Sequence, residues 1–247
     1  MGAAANAAGG VVLVTGANRG IGLEVVRQLA NQGMTVILTA RDQTKSEAAA
    51  QELIAEDLRV IPKTVDVTDD ASVQKLAKEV DAEFGRLDVL INNAAAYVEW
   101  SETASVADLK AAHDTLETNL FGGWRVTQAF LPLLRKSEHP RIVNVASGAG
   151  SHGDTQFGLT TNKGASASYG ISKAALNALT SKLAAELEET GILVNSVCPG
   201  LTATAPGMEA MGARPIPEGA ASIVWAATIL DDGPTGGFFR DGKPIDW

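Results

Sequence analysis

Val11-Val12-Leu13-Val14-Thr15-Gly16-Ala17-Asn18-Arg19-Gly20-Ile21-Gly22 decides the fold. A short valine-rich run leads into a glycine-rich turn. The segment IGLEVVRQLANQG follows, with apolar residues at helical spacing up to Gly33. The run TVILTA then reads as a second strand, so the first 40 residues spell strand, turn, helix, strand. The same unit recurs along the chain. A polar helix is predicted over about Lys45–Ala55, a strand within LRVIPKTVDV, and a helix over Ala71–Phe84 that stops at Gly85. LDVLIN is a fourth strand, helical segments cover Val106–Leu134, and RIVNVAS is a fifth strand. A long helix over Ser166–Glu189, the strand ILVNSVCP, a helix over Glu218–Leu230 and a short strand at Gly236–Phe239 complete the series. The strands are apolar on both faces. That predicts a parallel sheet of about seven strands covered by helices on each side, a three-layer α/β/α arrangement. No linker divides it, so residues 11–247 form one domain after a flexible tail at 1–10. Two irregular segments stand out, 148–165 and 201–217.

Composition narrows the function. With 20 Lys plus Arg against 29 Asp plus Glu, the net charge of −9 excludes a general nucleic-acid or anionic-membrane binder. The single cysteine, Cys198, forms no intrachain disulfide, which fits a reducing, cytoplasmic setting. His113, His139 and His152 share no metal-ligand spacing, so no metal is expected. MGAAANAAGG lacks the basic and apolar regions of a signal peptide, and no run of about 18 apolar residues is present to span a bilayer.

The turn after the first strand suits a nucleotide. Gly16 permits a tight turn, Gly20 lets a diphosphate approach the backbone, and Gly22 lets helix and strand pack closely, with Asn18 and Ile21 completing the loop. The second strand ends Thr39-Ala40-Arg41-Asp42. An acidic residue there usually accepts the ribose hydroxyls of NAD, whereas Arg41 together with Arg19 matches a 2′-phosphate and favours NADP. Asp42 either caps the following turn or weakens phosphate binding. Asp66 and Val67 end the third strand, where they can hold the adenine edge. Asn92-Asn93-Ala94-Ala95 end the fourth, which is expected beside the first; their small residues permit close approach.

Chemistry gathers later in the chain. Tyr169 and Lys173 stand four apart, on one helical face. A lysine under a tyrosine favours the phenolate and suits it to proton transfer near neutral pH. Ser147 ends the fifth strand, placed to bond a substrate oxygen as charge develops.

Together these segments resemble the short-chain dehydrogenase/reductase family over essentially the whole chain: TGANRGIG at 15–22, Asp66, NNAA at 92–95, Asn119, Ser147, Tyr169 with Lys173, and Pro199-Gly200. Arg19, the run SYGISKAAL and the ending TGGFFRDGKPIDW resemble its carbonyl-reductase-like branch, which reduces ketones and aldehydes with NADPH. The resemblance implies a Rossmann-type doubly wound fold and a set of roles. Tyr169 protonates the carbonyl oxygen as hydride arrives from the nicotinamide. Lys173 lowers the tyrosine pKa and binds the ribose. Ser147 orients the carbonyl, and Asn119 kinks its helix and holds a water that relays protons to Lys173. Pro199, Gly200, Leu201 and Thr202 contact the carboxamide side, and Thr204 assists at the diphosphate.

Two departures from the family pattern appear. Ala95 stands where glycine is usual, and Tyr169 follows Ser147 by 22 positions, longer than the commonest spacing. The extra residues either cover the usual dimerising helix face or line the substrate site, so monomer and homo-oligomer both stay open. Candidate pocket residues are Tyr97, Trp100, Ala149, Gly150, His152, Phe157, Leu201 and Met208, a mostly apolar set. The expected function is an NADPH-dependent carbonyl reductase acting on small-molecule ketones or aldehydes. An NAD(P)-dependent alcohol dehydrogenase and a non-catalytic nucleotide-binding protein are the alternatives.

Overall fold

All four residues of strand β1 (Val11–Val14) are buried, and their side chains divide between two apolar layers. Val12 and Val14 join one layer, Val11 and Leu13 the other, the alternation that a strand imposes. The computed structural model describes residues 9–247. Of the tail expected at 1–10, residues 1–8 lie outside the described part. Gly9 N–H donates to Gly33 C=O (3.2 Å), and Gly10 C=O accepts from Thr35 N–H (2.9 Å).

From β1 the chain passes through α1 (Gly20–Asn31), β2 (Thr35–Ala40), α2 (Gln43–Ile54), β3 (Val60–Thr64), α3 (Asp70–Phe84) and β4 (Val89–Asn92). It continues through α4 (Leu109–Leu116), a π-helical turn (Glu117–Gly122), α5 (Gly123–Leu134), β5 (Arg141–Val145), α6 (Ala167–Glu186) and β6 (Leu193–Val197). The last elements are α7 (Ile216–Ala227), β7 (Phe238–Arg240) and β8 (Lys243–Pro244). The sheet order is β3-β2-β1-β4-β5-β6-β7-β8. The first seven strands are parallel, and β8 turns back antiparallel on β7. The seven parallel strands match the expectation; β8 is added to them, and two residues after the turn at Asp241 and Gly242 are too few to show periodicity. Helices α1, α2 and α7 cover one face and α3, α5 and α6 the other. The edge strands β3 and β8 carry Lys–Pro pairs in opposite order, Pro62-Lys63 and Lys243-Pro244.

Local chemistry explains the boundaries. Asp42, Asp69 and Asp108 accept backbone N–H bonds at the starts of α2, α3 and α4. Gly85, at φ 70°, closes α3 in a conformation that glycine adopts without strain. The segments expected to be irregular are ordered by short turns: Gly148–Gly150 and Asn162–Gly164 in one, Glu209–Met211 in the other. Among the described residues no helix is long and apolar enough to cross a membrane.

Candidate active site

The strand order reverses between β1 and β4, opening a crevice at the carboxyl ends of the strands. The glycine loop lies there and is tied to both neighbours. Thr15 Oγ1 accepts from the N–H groups of Asn93 (2.9 Å) and Ala94 (3.0 Å), while Ala17 N–H donates to Thr39 C=O (2.8 Å). Asn93 Nδ2 donates to the carbonyls of Thr15 (2.8 Å) and Gly16 (3.1 Å). Gly16 and Gly20 hold φ of 63° and 58°. A Cβ at Gly22 would stand 2.5 Å from Asn93 Nδ2 and 2.9 Å from Ala17 Cα, so this position admits no side chain. No side chain caps α1, whose start is left to an outside acceptor. Asn18 and Ile21 are partly buried in the loop and Arg19 is exposed. Ala95 is not among the non-glycine residues with positive φ, so its methyl imposes no backbone strain.

At the end of β2, Arg41 is exposed, and neither it nor Arg19 forms an ion pair among the described residues. Asp42 Oδ1 accepts from Lys45 N–H (3.0 Å), the capping alternative. Asp66 Oδ1 accepts from the N–H (2.9 Å) and Oγ1 (2.7 Å) of Thr68. These bonds, with the charges of Arg41 and Arg125, hold its carboxyl below the usual range. Buried Val67 packs where Gly122 leaves room.

The catalytic candidates converge beyond β5. Ser147 caps the 148–150 turn, its Oγ accepting from Ala149 N–H (3.2 Å), and stands close enough to Tyr169 to act on its phenol. Lys173 Nζ lies 5.6 Å from the Tyr169 ring centre and donates to Val145 C=O (2.8 Å). Burial pushes the phenol well above its ordinary value, opposed by the neighbouring Ser147 hydroxyl. Burial likewise lowers the Lys173 ammonium to about 8. Burial of the phenolate is the largest cause of the rise at Tyr169, with Tyr97 adding to it. Asn119 sits in the π-helical turn, the break expected in its helix. Its amide is committed to protein partners, with Nδ2 donating to Ala96 C=O and Ser172 Oγ (both 2.9 Å) and Oδ1 accepting from Ala96 N–H (2.7 Å). Ser172, which the sequence does not single out, donates to Tyr169 C=O (2.7 Å) and so links Asn119 to α6.

The loop after β6 is braced in ways that motifs do not reveal. Cys198 Sγ accepts from Gly148 N–H (3.1 Å), Gly200 N–H (3.3 Å) and Arg240 Nη2 (3.2 Å), joining the ends of β5, β6 and β7. Arg240 also holds Asp154 (2.8 Å). Arg214 Nε donates to Pro199 C=O (2.7 Å), and Thr202 Oγ1 donates to the carbonyls of Pro199 and Gly200. Leu201 C=O accepts from Arg214 N–H (2.9 Å). A Cβ on Gly20 would lie 3.7 Å from Thr204 Cγ2, so Thr204 faces the glycine loop.

Among the pocket candidates, Tyr97 stacks on Tyr169 with ring centres 5.2 Å apart, and Trp100 meets Phe157 edge-on at 6.4 Å. Ala149 packs against the first turn of α6, where its C=O would stand 2.9 Å from a Cβ on Gly170. Gly150 is tighter still: a Cβ there would stand 2.5 Å from Ala174 N. Met208 Sδ accepts from Thr204 Oγ1 (3.8 Å), beside the glycine loop. His152 is exposed, and its N–H donates to Trp247 C=O (2.7 Å), which ties it to the chain's last residues and not to Tyr169.

These residues fit a dinucleotide: an uncapped helix start, glycines that leave its approach open, and small residues at the end of β4. Among the described residues no group of three or more His, Cys, Asp or Glu is placed to hold a metal ion. The family model described as short chain dehydrogenase matches residues 10–213. The chain is similar to a (+)-neomenthol dehydrogenase of Capsicum annuum, with 32% identity over 92% of this chain and 94% of that one. It is 34% identical to a (-)-isopiperitenone reductase of Mentha piperita, over 94% and 96% of the two chains. Among solved structures it resembles the NADPH-bound carbonyl reductase from chicken fatty liver, with a TM-score of 0.86 and 30% identity, covering 97% of this chain and 100% of that one. The chain thus belongs to the short-chain dehydrogenase/reductase family, in its carbonyl-reductase-like branch, and is an oxidoreductase of carbonyl and alcohol groups that uses a nicotinamide cofactor.

Proposed function

We propose that the protein is an NADPH-dependent carbonyl reductase that converts ketones or aldehydes to alcohols. The observation that carries this reading is the gathering of Ser147, Tyr169 and Lys173 at the end of β5, with Lys173 Nζ 5.6 Å from the Tyr169 ring centre and bonded to Val145 C=O. NADP is supported by two exposed arginines that form no ion pair among the described residues, by an Asp42 committed to capping α2, and by the NADPH-bound chicken relative.

Arg19 and Arg41 hold the 2′-phosphate, the start of α1 and Thr204 the diphosphate, and Asp66 and Val67 the adenine edge. Asn93, Ala94 and Pro199 to Thr202 shape the nicotinamide end. When bound, the nicotinamide supplies the hydride, and the protein supplies position and protons. The phenol of Tyr169 is protonated at neutral pH, as a donor to a carbonyl oxygen must be. Ser147 orients that oxygen. Lys173, titrating near neutrality, stands under the phenol to restore its proton. Tyr97, Trp100 and Phe157 give the mouth an aromatic wall that tolerates varied ketones.

A panel of ketones, aldehydes and diketones, assayed with NADPH and NADH in parallel, tests the reading. NADPH consumption is expected across several substrates. Tyr169→Phe is expected to bind NADPH normally and lose about 10²–10⁴-fold in turnover. Unchanged turnover in that variant, or no carbonyl reduced by the wild type, overturns the assignment.

A further inference from the structure

Helix α6, which carries Tyr169 and Lys173, begins without a cap from its own neighbourhood. Ser166, the residue before it, holds φ 52°, a left-handed conformation costly to a residue with a Cβ. Three successive N–H groups of this first turn instead donate to the segment Trp100–Glu102. Ser166 N–H reaches Trp100 C=O (3.1 Å), Ala167 N–H reaches Glu102 C=O (3.3 Å), and Ser168 N–H reaches Glu102 Oε2 (2.8 Å). The Ser168 hydroxyl donates to Glu102 Oε1 (2.9 Å). Both oxygens of one carboxylate are thus committed to the residue adjacent to Tyr169, and they come from 66 residues earlier in the chain. A carboxylate here also meets the positive end of the helix dipole.

The other end of the same segment is fixed as well. Ala96 is bonded through both its N–H and its C=O to Asn119. Between the two anchors stands Tyr97, stacked on the Tyr169 ring. Residues 96–102 therefore form a strap joining the π-helical turn to the first turn of α6, and Tyr97 and Trp100 are carried on it.

We propose that Glu102 is a positioning residue: it caps α6 from across the site and thereby sets the Tyr169 phenol against Ser147 while holding Tyr97 and Trp100 at the mouth. This rests on the reading of Tyr169 as proton donor. A displacement of the phenol by a fraction of an ångström lowers the rate of proton transfer and leaves the diphosphate end untouched.

The test combines hydrogen exchange, read by mass spectrometry on peptides covering 166–172 and 176–183, with steady-state kinetics and NADPH titration of Glu102→Ala, Glu102→Gln and Ser168→Ala. In Glu102→Ala, exchange at 166–172 is expected to rise about 3- to 30-fold, the effect of a lost cap, while 176–183 stays as in the wild type. Turnover is expected to fall about tenfold with NADPH affinity unchanged. Glu102→Gln retains an oxygen for the Ser168 N–H and is expected to recover most of the loss. Ser168→Ala removes only the hydroxyl bond and is expected to fall between wild type and Glu102→Ala; with Glu102→Gln it serves if the alanine variant does not fold. Wild-type exchange at 166–172 in the variants, or faster exchange with wild-type turnover and KM, overturns the proposal. A wild type inactive on every carbonyl refutes the reductase reading alone, and the exchange measurement still decides the capping.

Discussion

Arg41 reaches solvent at the end of β2 while the neighbouring Asp42 turns back to cap α2. That division removes the carboxylate from competition with a ribose phosphate and leaves the guanidinium to meet it. Arg41→Glu is expected to raise KM for NADPH about ten- to a hundredfold and KM for NADH far less; equal changes for both cofactors count against the assignment. Lys173 makes a second argument at this scale. Burial lowers its pKa to about 8 from an ordinary 10.5, so the folded protein binds this proton less tightly than the unfolded chain does. The buried charge costs on the order of 3 kcal/mol below pH 8. The cost shrinks as pH rises from 8 towards 10.5, the window in which the unfolded chain keeps the proton, so stability there increases with pH. Replacing the lysine by methionine removes the charge and also the bond to Val145. Lys173→Met is expected to be inactive yet to melt about 2–4 °C higher than wild type at pH 7. That advantage should narrow towards pH 10.5, as thermal melts across the range would reveal. The ionisation of Tyr169, raised by burial, bears on both proteins and largely cancels in the difference.

The glycine loop and α1 act as one element, since the loop's backbone is stitched to β2 and β4 and α1 starts uncapped. Gly22→Ala puts a methyl against Asn93 and Ala17. It is expected to cost about 1–3 kcal/mol in chemical denaturation and to weaken NADPH binding at least about tenfold, by moving the start of α1. Intact affinity in a destabilised protein separates packing from cofactor approach. This element was legible in the sequence because its determinants are local: strand, glycines and helix follow within a dozen residues. The first turn of α6 was legible only in part. Tyr169 and Lys173 share a helical face by spacing alone, but their carboxylate cap comes from Glu102, and no periodicity joins residues so far apart. The brace at Cys198 was hidden for the same reason, being built from Gly148, Gly200 and Arg240 on three strand ends. Spacing places a lysine near Tyr169 but does not say how far both groups are withdrawn from water.

Across the whole molecule the parallel order followed from the repeated strand–helix unit, whereas the antiparallel β8 was too short to announce itself. The net charge of −9 describes the surface at large and leaves room for the local pair Arg19 and Arg41. The Lys–Pro pairs on the two outermost strands have a bearing on how copies of the protein behave in crowded solution. An open sheet is a template on which a second chain can add a strand and begin aggregation. Along β3, Arg59 C=O and Val65 N–H face β2, so the alternate positions, Pro62 among them, face outward. Proline offers no N–H to an incoming strand, and the adjacent lysine carries its charge along the same margin. At the other margin, β8 spans two residues and one of them is proline. Pro62→Val restores an outward donor and a β-branched side chain at once. The variant is expected to keep its catalytic constants but to shorten the lag of agitation-induced aggregation, followed by light scattering and thioflavin fluorescence; an unchanged lag would show that the margin is guarded by other means. Self-association in the native state is thereby steered away from sheet extension and onto surfaces made of helices and loops.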